Sequence, residues 1–413
     1  MSNTDKKFIE PWIETGAWDK VDFTKIPNVS YVVSLSKLEE NFKILHDIEV
    51  RTGAKILMAL KSFSMFSTFP LARKYLSGSE ASSINEARLG YEEFKKENHV
   101  FSPSYTKENI KEYIKYSDHL VFNSFSNFES VKDIIKKSTL NKIGRGKHIS
   151  CGMRVNPEHC ETETAMYDPC APCSHFGVTE KNFEGQSLDG IEGLHFHTLC
   201  ELNSDALERT LAVFEKKFGK YLTNMKWVNF GGGHHITRAD YDRELLVRII
   251  LGFKQRYPHI QVYLEPGEAN GLNAGVLVGT VLDVFNNDVN IAVLDVSATT
   301  HMPDVLEMPY APTILGVAHA SYTEAVVAKK VTKNIYKLVG PSCLTGDVIG
   351  EYEFEKPLQI GQKVVFMNMA IYTMVKNNTF NGIDLPSIYT LDKKNKFKLI
   401  KKFNYKDFKN RLS

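Results

Sequence analysis

The chain has 413 residues, 43% of them hydrophobic and 24% charged, with a formal net charge of +2. Such a length buries a sizeable core without staples and suits two domains, which excludes disordered and collagen-like classes. No uncharged apolar run reaches about 18 residues and Met1–Pro11 lacks an apolar centre, so neither a membrane span nor a signal peptide is expected.

Residues 1–29 carry no clear period and are read as a segment that joins the C-terminal domain. From residue 54 onward short apolar runs end in polar or small residues and alternate with amphipathic stretches. The runs are KILMAL (55–60), EASS (80–83), HVFSPS (99–104), HLVFNS (119–124), HISCGMRVN (148–156), GLHFHTL (193–199), WVNFGGG (227–233) and QVYLEPG (261–267). The helical stretches between them include NEARLGYEEFKKE (85–97), SDALERTLAVFEKKFGKYL (204–222) and DYDRELLVRIILGFKQRY (240–257). Eight strands alternating with helices predict an α/β fold, a (β/α)8 TIM-like barrel over residues 30–274. An open doubly wound sheet is the alternative. After about residue 275 strand-like segments such as KVVFMNM (363–369) are broken by GPSCLTGD and KPLQIGQ, which predicts a mostly β domain, a β-sandwich or β-barrel, over 275–413.

Two compositional features remain. Residues 392–413 hold nine Lys/Arg against two Asp, interleaved with Phe397, Phe403, Tyr405 and Phe408. The stretch is read as a terminal strand and a solvated end rather than a nucleic-acid or membrane-binding tail. Cys151, Cys160, Cys170, Cys173, Cys200 and Cys343 are too few for a disulfide scaffold in a chain of this length, so a reducing cytoplasm is expected.

Barrel enzymes carry their reactive groups at the carboxyl ends of the strands. Here those positions hold Lys61, Ser83, Ser102, Asn123, Arg154, His197, Gly231-Gly232-Gly233 and Glu265. A lysine leaving an apolar strand is partly desolvated and suits Schiff-base chemistry, although most lysines at such places are merely solvated. Three glycines after the seventh strand leave backbone N–H groups open to a phosphate; a tight turn is the plainer alternative. Glu265 is a carboxylate that can keep a pyridine nitrogen protonated. His195 and His197 share one face of their strand. With His234, His235 and Cys170-Ala171-Pro172-Cys173 they raise the question of zinc, but no second CxxC pair occurs and the second histidine pair adjoins the glycine turn. No metal is therefore expected. Cys343, in GPSCLTGD, could donate a proton or be a buried inert thiol.

Taken together, the segments ALKSFS, ASSINEARLGYEEF, GLHFHTLCE, NFGGGHHITR, LEPGEA, DVSATTHMPDVLEMPY, GPSCLTGDVIGEY and AIYTMVKNNTFNG resemble the fold-type III pyridoxal-phosphate (PLP) decarboxylases, the ornithine and diaminopimelate decarboxylase family with its alanine-racemase-like architecture. The resemblance runs from about Tyr31 to Ile388 and is strongest to the branch that converts carboxynorspermidine to norspermidine and carboxyspermidine to spermidine in polyamine biosynthesis. It implies that Lys61 is the Schiff-base lysine, that His197 stacks on the pyridine ring, that Gly231, Gly232 and Gly233 hold the phosphate and that Glu265 pairs with the ring nitrogen. Arg154 matches a strand-end arginine near the cofactor, Glu86 a structural acid, and Tyr372 a tyrosine that reaches the phosphate. Cys343 matches a cysteine contributed across a homodimer interface, and it and Asp347, in the same motif, are expected to contact the substrate. Many relatives carry an arginine where Glu268 stands and a serine where Cys200 stands; both changes are read as marks of the branch.

Diaminopimelate decarboxylases also carry an arginine that reads the distal carboxylate of the substrate. The corresponding region here, HMPDVLEMPY, offers Asp304 and Glu307 instead, which suit the cationic nitrogens of a polyamine. A diaminopimelate or other basic amino-acid decarboxylase on the same scaffold is the alternative, and a non-catalytic binding protein a more distant one.

Overall fold

The computed structural model describes residues 12–140, 148–162, 165–321 and 334–413. The Met1–Pro11 stretch lies outside them. The chain divides into two compact units, Glu39–Asn270 and, discontinuously, Met1–Leu38 with Gly271–Ser413. The first strand, β1 (Ser30–Ser34), pairs in the sheet of the discontinuous unit. The continuous unit then begins inside the helix that follows it.

In the continuous unit the barrel strands are β2 (Lys55–Ala59), β3 (Gly78–Ala81), β4 (Glu97–Phe101), β5 (His119–Phe122) and β6 (Ser150–Asn156), followed, after the two-residue β7 (Val178–Thr179), by β8 (Gly193–His195), β9 (Trp227–Asn229) and β10 (Gln261–Leu264). All pair in parallel, and the β5–β6 and β2–β10 pairings close the ring of eight, with β7 lying outside it on β6. Every residue of β6 is buried, as parallel strands covered on both faces require. The helix Ser204–Phe218 buries Ala206, Leu207, Thr210, Leu211, Phe214 and Phe218, the three- and four-residue spacing of a core-facing stripe. Asp242 caps Arg243–Arg256 by accepting the Leu245 N–H at 2.8 Å.

One expected helix is shorter than its periodicity. In place of 85–97 the helix covers Ile84–Leu89, widens into a single π turn over Gly90–Phe94 and ends at Lys95, with φ 62°. Glu97 already belongs to β4. The reason is crowding: a Cβ at Gly90 would lie 2.7 Å from Ser79 Oγ and 2.8 Å from Asn98 Oδ1, so the turn is pressed against the strands and cannot run on.

The amino-terminal end of the barrel is plugged. The Trp227 ring fills the space beside Gly152 and Gly193, where added Cβ atoms would come within 2.2 and 2.0 Å of it. Around Glu97, the Lys55 ammonium (2.6 Å) and the Tyr263 hydroxyl (2.7 Å) converge, with His99 and His119 stacked 3.8 Å apart beside them. A carboxylate already neutralised by a lysine is a poor cation ligand. Open chemistry is left to the carboxyl end.

The other unit is a mixed sheet in the order β13 (Ala318–His319), β15 (Val348–Glu353), β14 (Ile335–Val339), β12 (Val289–Leu294), β11 (Gly275–Asn287), β1, β17 (Ser387–Leu391) and β18 (Phe397–Lys401), with β16 (Lys363–Phe366) also on β11. The long strand β11 pairs with β1 and β16 through its first half and with β12 through its second, shifting register between Val281 and Asp283. Trp18, Val21, Phe23 and Ile26 of the N-terminal segment pack with Val32, Val276, Val278, Val365 and Met367 on this sheet. The basic C-terminal stretch forms the edge strand β18 and a helix, Tyr405–Leu412, with an Asn404/Asp407 capping box. Periodicity had suggested only the strand.

Candidate active site

At the carboxyl ends of the barrel strands the side chains singled out by position come together. Lys61 follows β2 by two residues and is half-buried, with the backbone turned by a Leu60 N–H bond to Glu80 O at 2.9 Å. Among the described residues its amine has no hydrogen-bond or ion-pair partner. Its charge nevertheless acts on Glu80, Glu86, His195, His197 and Cys200, which places these groups around one mouth. Glu86 is tied into the chain: it accepts the Ser82 N–H at 2.6 Å, while Ser83 Oγ accepts the Glu86 N–H at 3.2 Å. This reciprocal cap fixes the start of the Ile84–Leu89 helix.

Glu265, just beyond β10, is buried. Asn229 Nδ2 donates to its Oε1 at 2.5 Å and His195 Nε2 contacts its Oε2 at 3.2 Å. Burial raises the carboxyl, but the neighbouring His195 and the Asn229 amide outweigh it and hold Glu265 below its ordinary value. Glu80 goes the other way. Its burial and the Glu265 charge push it up to about 8, against the opposing pull of Lys61. The two buried carboxyls are thus pushed in opposite directions, a separation common in acid–base sites. Sequence reading missed both Glu80 and Asn229, although Asn229 lies two residues after Trp227 on the same strand and so shares its face.

His195 is neutral, because burial lowers it more than Glu265 raises it. With Nε2 donating to Glu265, Nδ1 is an acceptor, and it is buried without a partner. Thr198 Oγ1 and His234 Nδ1 are also buried and unpartnered. Buried polar atoms are rarely left so, and these three lie at or just beyond the ends of β8 and β9.

His197 is held by its neighbours. Gly232 N–H donates to its Nδ1 at 3.0 Å, which leaves Nε2 to carry the proton. Burial, then Lys61 and Arg154, depress its pKa well below the usual range, so the ring is neutral. Arg154 lies between the Phe101 and Phe176 rings, 4.5 and 4.4 Å from their centroids, and donates to His197 O at 3.3 Å.

The glycine run differs from expectation in its use of N–H groups. Gly231 N–H is bonded to Asn229 Oδ1 at 2.8 Å and Gly232 N–H to His197, so neither is offered outward here. The glycines are needed for room. A Cβ at Gly232 would sit 2.5 Å from Glu265 O and 2.9 Å from His197 Cε1, and Gly231 and Gly233 have φ of +73° and +80°. We expect Gly232→Val to cost about 1–3 kcal/mol in denaturant unfolding and to weaken cofactor retention by displacing His197 and Glu265. An unchanged unfolding midpoint and tight cofactor binding would show that the turn yields. Downstream, His235 Nε2 pairs with Glu268 Oε2. Cys200 is half-buried, and burial pushes its thiol up to about 12.

The remaining candidates belong to the discontinuous unit. Cys343 is exposed, its N–H bonded to Asn381 Oδ1 at 2.8 Å. Asp347 is buried, and its carboxylate accepts Ser297 Oγ (2.8 Å), Thr299 N (3.2 Å) and Ser342 N (3.2 Å). A Cβ at Gly340 would meet it at 2.3 Å. With its oxygens engaged in this way, Asp347 shapes the loop that displays Cys343. Tyr372 is half-buried with φ 42°, an uncommon conformation that opens the Thr373–Lys376 turn. Asp304 and Glu307 both bind the ammonium of Lys376, a partner that residue order did not reveal.

A closed parallel barrel with an uncommitted lysine, an ionised acid and a glycine turn at its carboxyl mouth defines a barrel enzyme whose chemistry is built on a lysine amine. Comparison with known proteins agrees. Residues 30–370 match the family model described as pyridoxal-dependent decarboxylase, C-terminal sheet domain. The carboxynorspermidine/carboxyspermidine decarboxylase of Campylobacter jejuni is 42% identical over 388 residues, 94% of this chain and 98% of that one. The carboxyaminopropylagmatine decarboxylase of a Synechocystis strain is 37% identical, over 94% and 96% of the two chains. A crystal structure of the Campylobacter jejuni carboxynorspermidine decarboxylase with norspermidine superposes with a TM-score of 0.83 at 41% identity, covering 94% of this chain and all of that one. The chain belongs to the pyridoxal-dependent ornithine/diaminopimelate/arginine decarboxylase family.

Proposed function

We propose that this protein binds pyridoxal phosphate and decarboxylates carboxynorspermidine to norspermidine and carboxyspermidine to spermidine, working as a cytoplasmic homodimer with shared active sites. The observation that carries the reading is the Lys61 amine, half-buried and uncommitted beside a buried, ionised Glu265. The residues fit the cofactor: the amine for its aldehyde, a carboxylate for its ring nitrogen, a flat neutral imidazole, and unpartnered buried atoms at His195, Thr198 and His234. The similarity to two polyamine-type decarboxylases over nearly the whole chain supports the substrate class. Six free thiols support a reducing compartment, and among the described residues no helix is long and apolar enough to cross a membrane.

Bound here, pyridoxal phosphate supplies an electron sink for the pair left behind by departing carbon dioxide. The protein's part is binding and proton control. Lys61 would hold the cofactor through its amine. Glu265, kept ionised by His195 and Asn229, holds a proton on the ring nitrogen. His197, fixed by Gly232 N–H, offers a ring for stacking, and Arg154 adds a cation that its aromatic neighbours keep in place. Cys343, displayed by the loop that Asp347 organises, returns a proton to the α-carbon.

Assay of the purified protein with pyridoxal phosphate against carboxynorspermidine, carboxyspermidine and diaminopimelate tests the reading. Turnover of the first two and not the third is expected; preference for diaminopimelate would overturn it. Glu265→Gln should retain the cofactor and its visible absorption yet lose about 100-fold or more in kcat, the scale on which a positioned acid or base contributes. Full activity in this variant would remove Glu265 from the mechanism.

A further inference from the structure

We propose that Lys376 is an internal competitor for the distal ammonium of the substrate and so sets the selectivity of the site formed by Asp304 and Glu307. The inference rests on the functional reading above. Asp304 and Glu307 are three residues apart in the helical turn Asp304–Glu307, which places both carboxylates on one side of it. Lys376, at the end of the turn Thr373–Lys376, puts its ammonium on Asp304 Oδ1 and Glu307 Oε2 together. Asp304 is the more buried acid, its side chain 15% exposed against 52% for Glu307, and the lysine is 36% exposed.

The two turns do not depend on the lysine for their placing. Tyr31, fully buried, donates its hydroxyl to His301 O and lies 3.2 Å from Thr373 O. Asn378 bonds back to Thr300 O and Thr299 O, each at 2.9 Å. Val305 and Met302 are anchored in the core of the same unit. Removing the lysine charge therefore leaves both acids in place with one cation fewer beside them.

The chemistry of the occupant is informative. A lysine side chain is a primary ammonium on a flexible four-carbon stem, the same group that ends an aminopropyl or aminobutyl arm. Two carboxylates that accept Lys376 have the chemistry to accept such an arm. With Lys376 present the two acids share its ammonium; without it the cluster is more negative by one charge. The lysine thus weakens attraction for any cationic tail, and its ammonium is also the one group in the cluster able to meet a tail that ends in a carboxylate.

The test is Lys376→Met, with Lys376→Arg as the charge-preserving control, each alone and in an Asp304→Asn/Glu307→Gln background. Norspermidine is titrated into the cofactor-loaded protein by calorimetry, and KM and kcat are measured for carboxynorspermidine. Lys376→Met should tighten norspermidine and lower KM about three- to tenfold with little change in kcat, as expected for unmasking a partly screened charge. Lys376→Arg should stay near wild type, and the effect should vanish in the double-acid background. A raised KM, or no change in either quantity with the fold intact, would overturn the proposal. Should Lys376→Met fail to fold, Lys376→Gln carries the same comparison. Absence of decarboxylation in the wild type would sink the functional reading, and norspermidine binding would still decide the lysine's role: tightening in Lys376→Met supports it, and unchanged binding overturns it.

Discussion

Lys61→Ala is expected to abolish the visible absorption of the cofactor-loaded protein and to lower turnover by about 1,000-fold or more, because no other group can take over a covalent role. The Lys61 amine is half-buried at a strand end and makes no bond that would compete with a carbonyl. Glu80 and Glu86 act on it from the same mouth, yet the first is held neutral by burial and the second is bound to Ser82 N–H. The amine is therefore near acids without being locked in a salt bridge, which is what a group that must exchange partners requires. Borohydride reduction followed by peptide mass analysis checks the assignment directly. Pyridoxal phosphate fixed on Lys55, Lys376 or any lysine other than Lys61 would refute it. The variant should unfold near the wild-type midpoint of the cofactor-free protein, since Lys61 contributes no hydrogen bond to the fold.

What could be read from residue order alone was what depends on local pattern. The eight barrel strands lie where apolar runs end in polar residues, because parallel strands are buried on both faces and only their ends can carry chemistry. Lys61, Arg154, His197 and Glu265 were legible for that reason. Strand limits were less so. Residues 99–104 mark a strand that begins at Glu97 and stops at Phe101, since the half-buried Glu97 is satisfied by Lys55 and Tyr263 from other strands. Nothing nearby in sequence announces such partners. The same holds for Ser30–Ser34, which joins the mixed sheet through Gly275–Val278 and Ser387–Leu391, more than 200 residues away. The engagement of Gly231 and Gly232 N–H groups, the sharing of Glu265 between Asn229 and His195, and the grip of Lys376 on two acids are likewise products of folding. They add roles: glycines that looked like phosphate donors also orient a histidine, and an aspartate expected at the substrate also holds a loop.

The second large effect joins two residues that lie in different compact units, Lys61 in the continuous one and Cys343 in the discontinuous one. On the homodimer reading each active site takes its lysine from one subunit and its cysteine from the other. Cys343→Ala alone should then be nearly inactive while keeping the cofactor and its absorption, since the thiol acts on the substrate carbon and not on cofactor binding. Lys61→Ala alone should lack both. A two-fold interface repeats its contacts, so a dimer with one subunit of each kind holds one site with both lesions and one with none. When the two inactive proteins are mixed in equal amounts and exchange freely, half the dimers are mixed and each has one intact site of two. Activity should return to about a quarter of wild type, with cofactor absorption contributed by the Cys343→Ala chains alone. Native mass spectrometry establishes that exchange has occurred. Exchange without recovery would mean that the lysine and cysteine act within one chain, or that Cys343 takes no part in the reaction. The single-variant spectra separate these outcomes. An active Cys343→Ala protein dismisses the thiol, whereas an inactive one with intact absorption, together with failed recovery, places both groups in the same subunit.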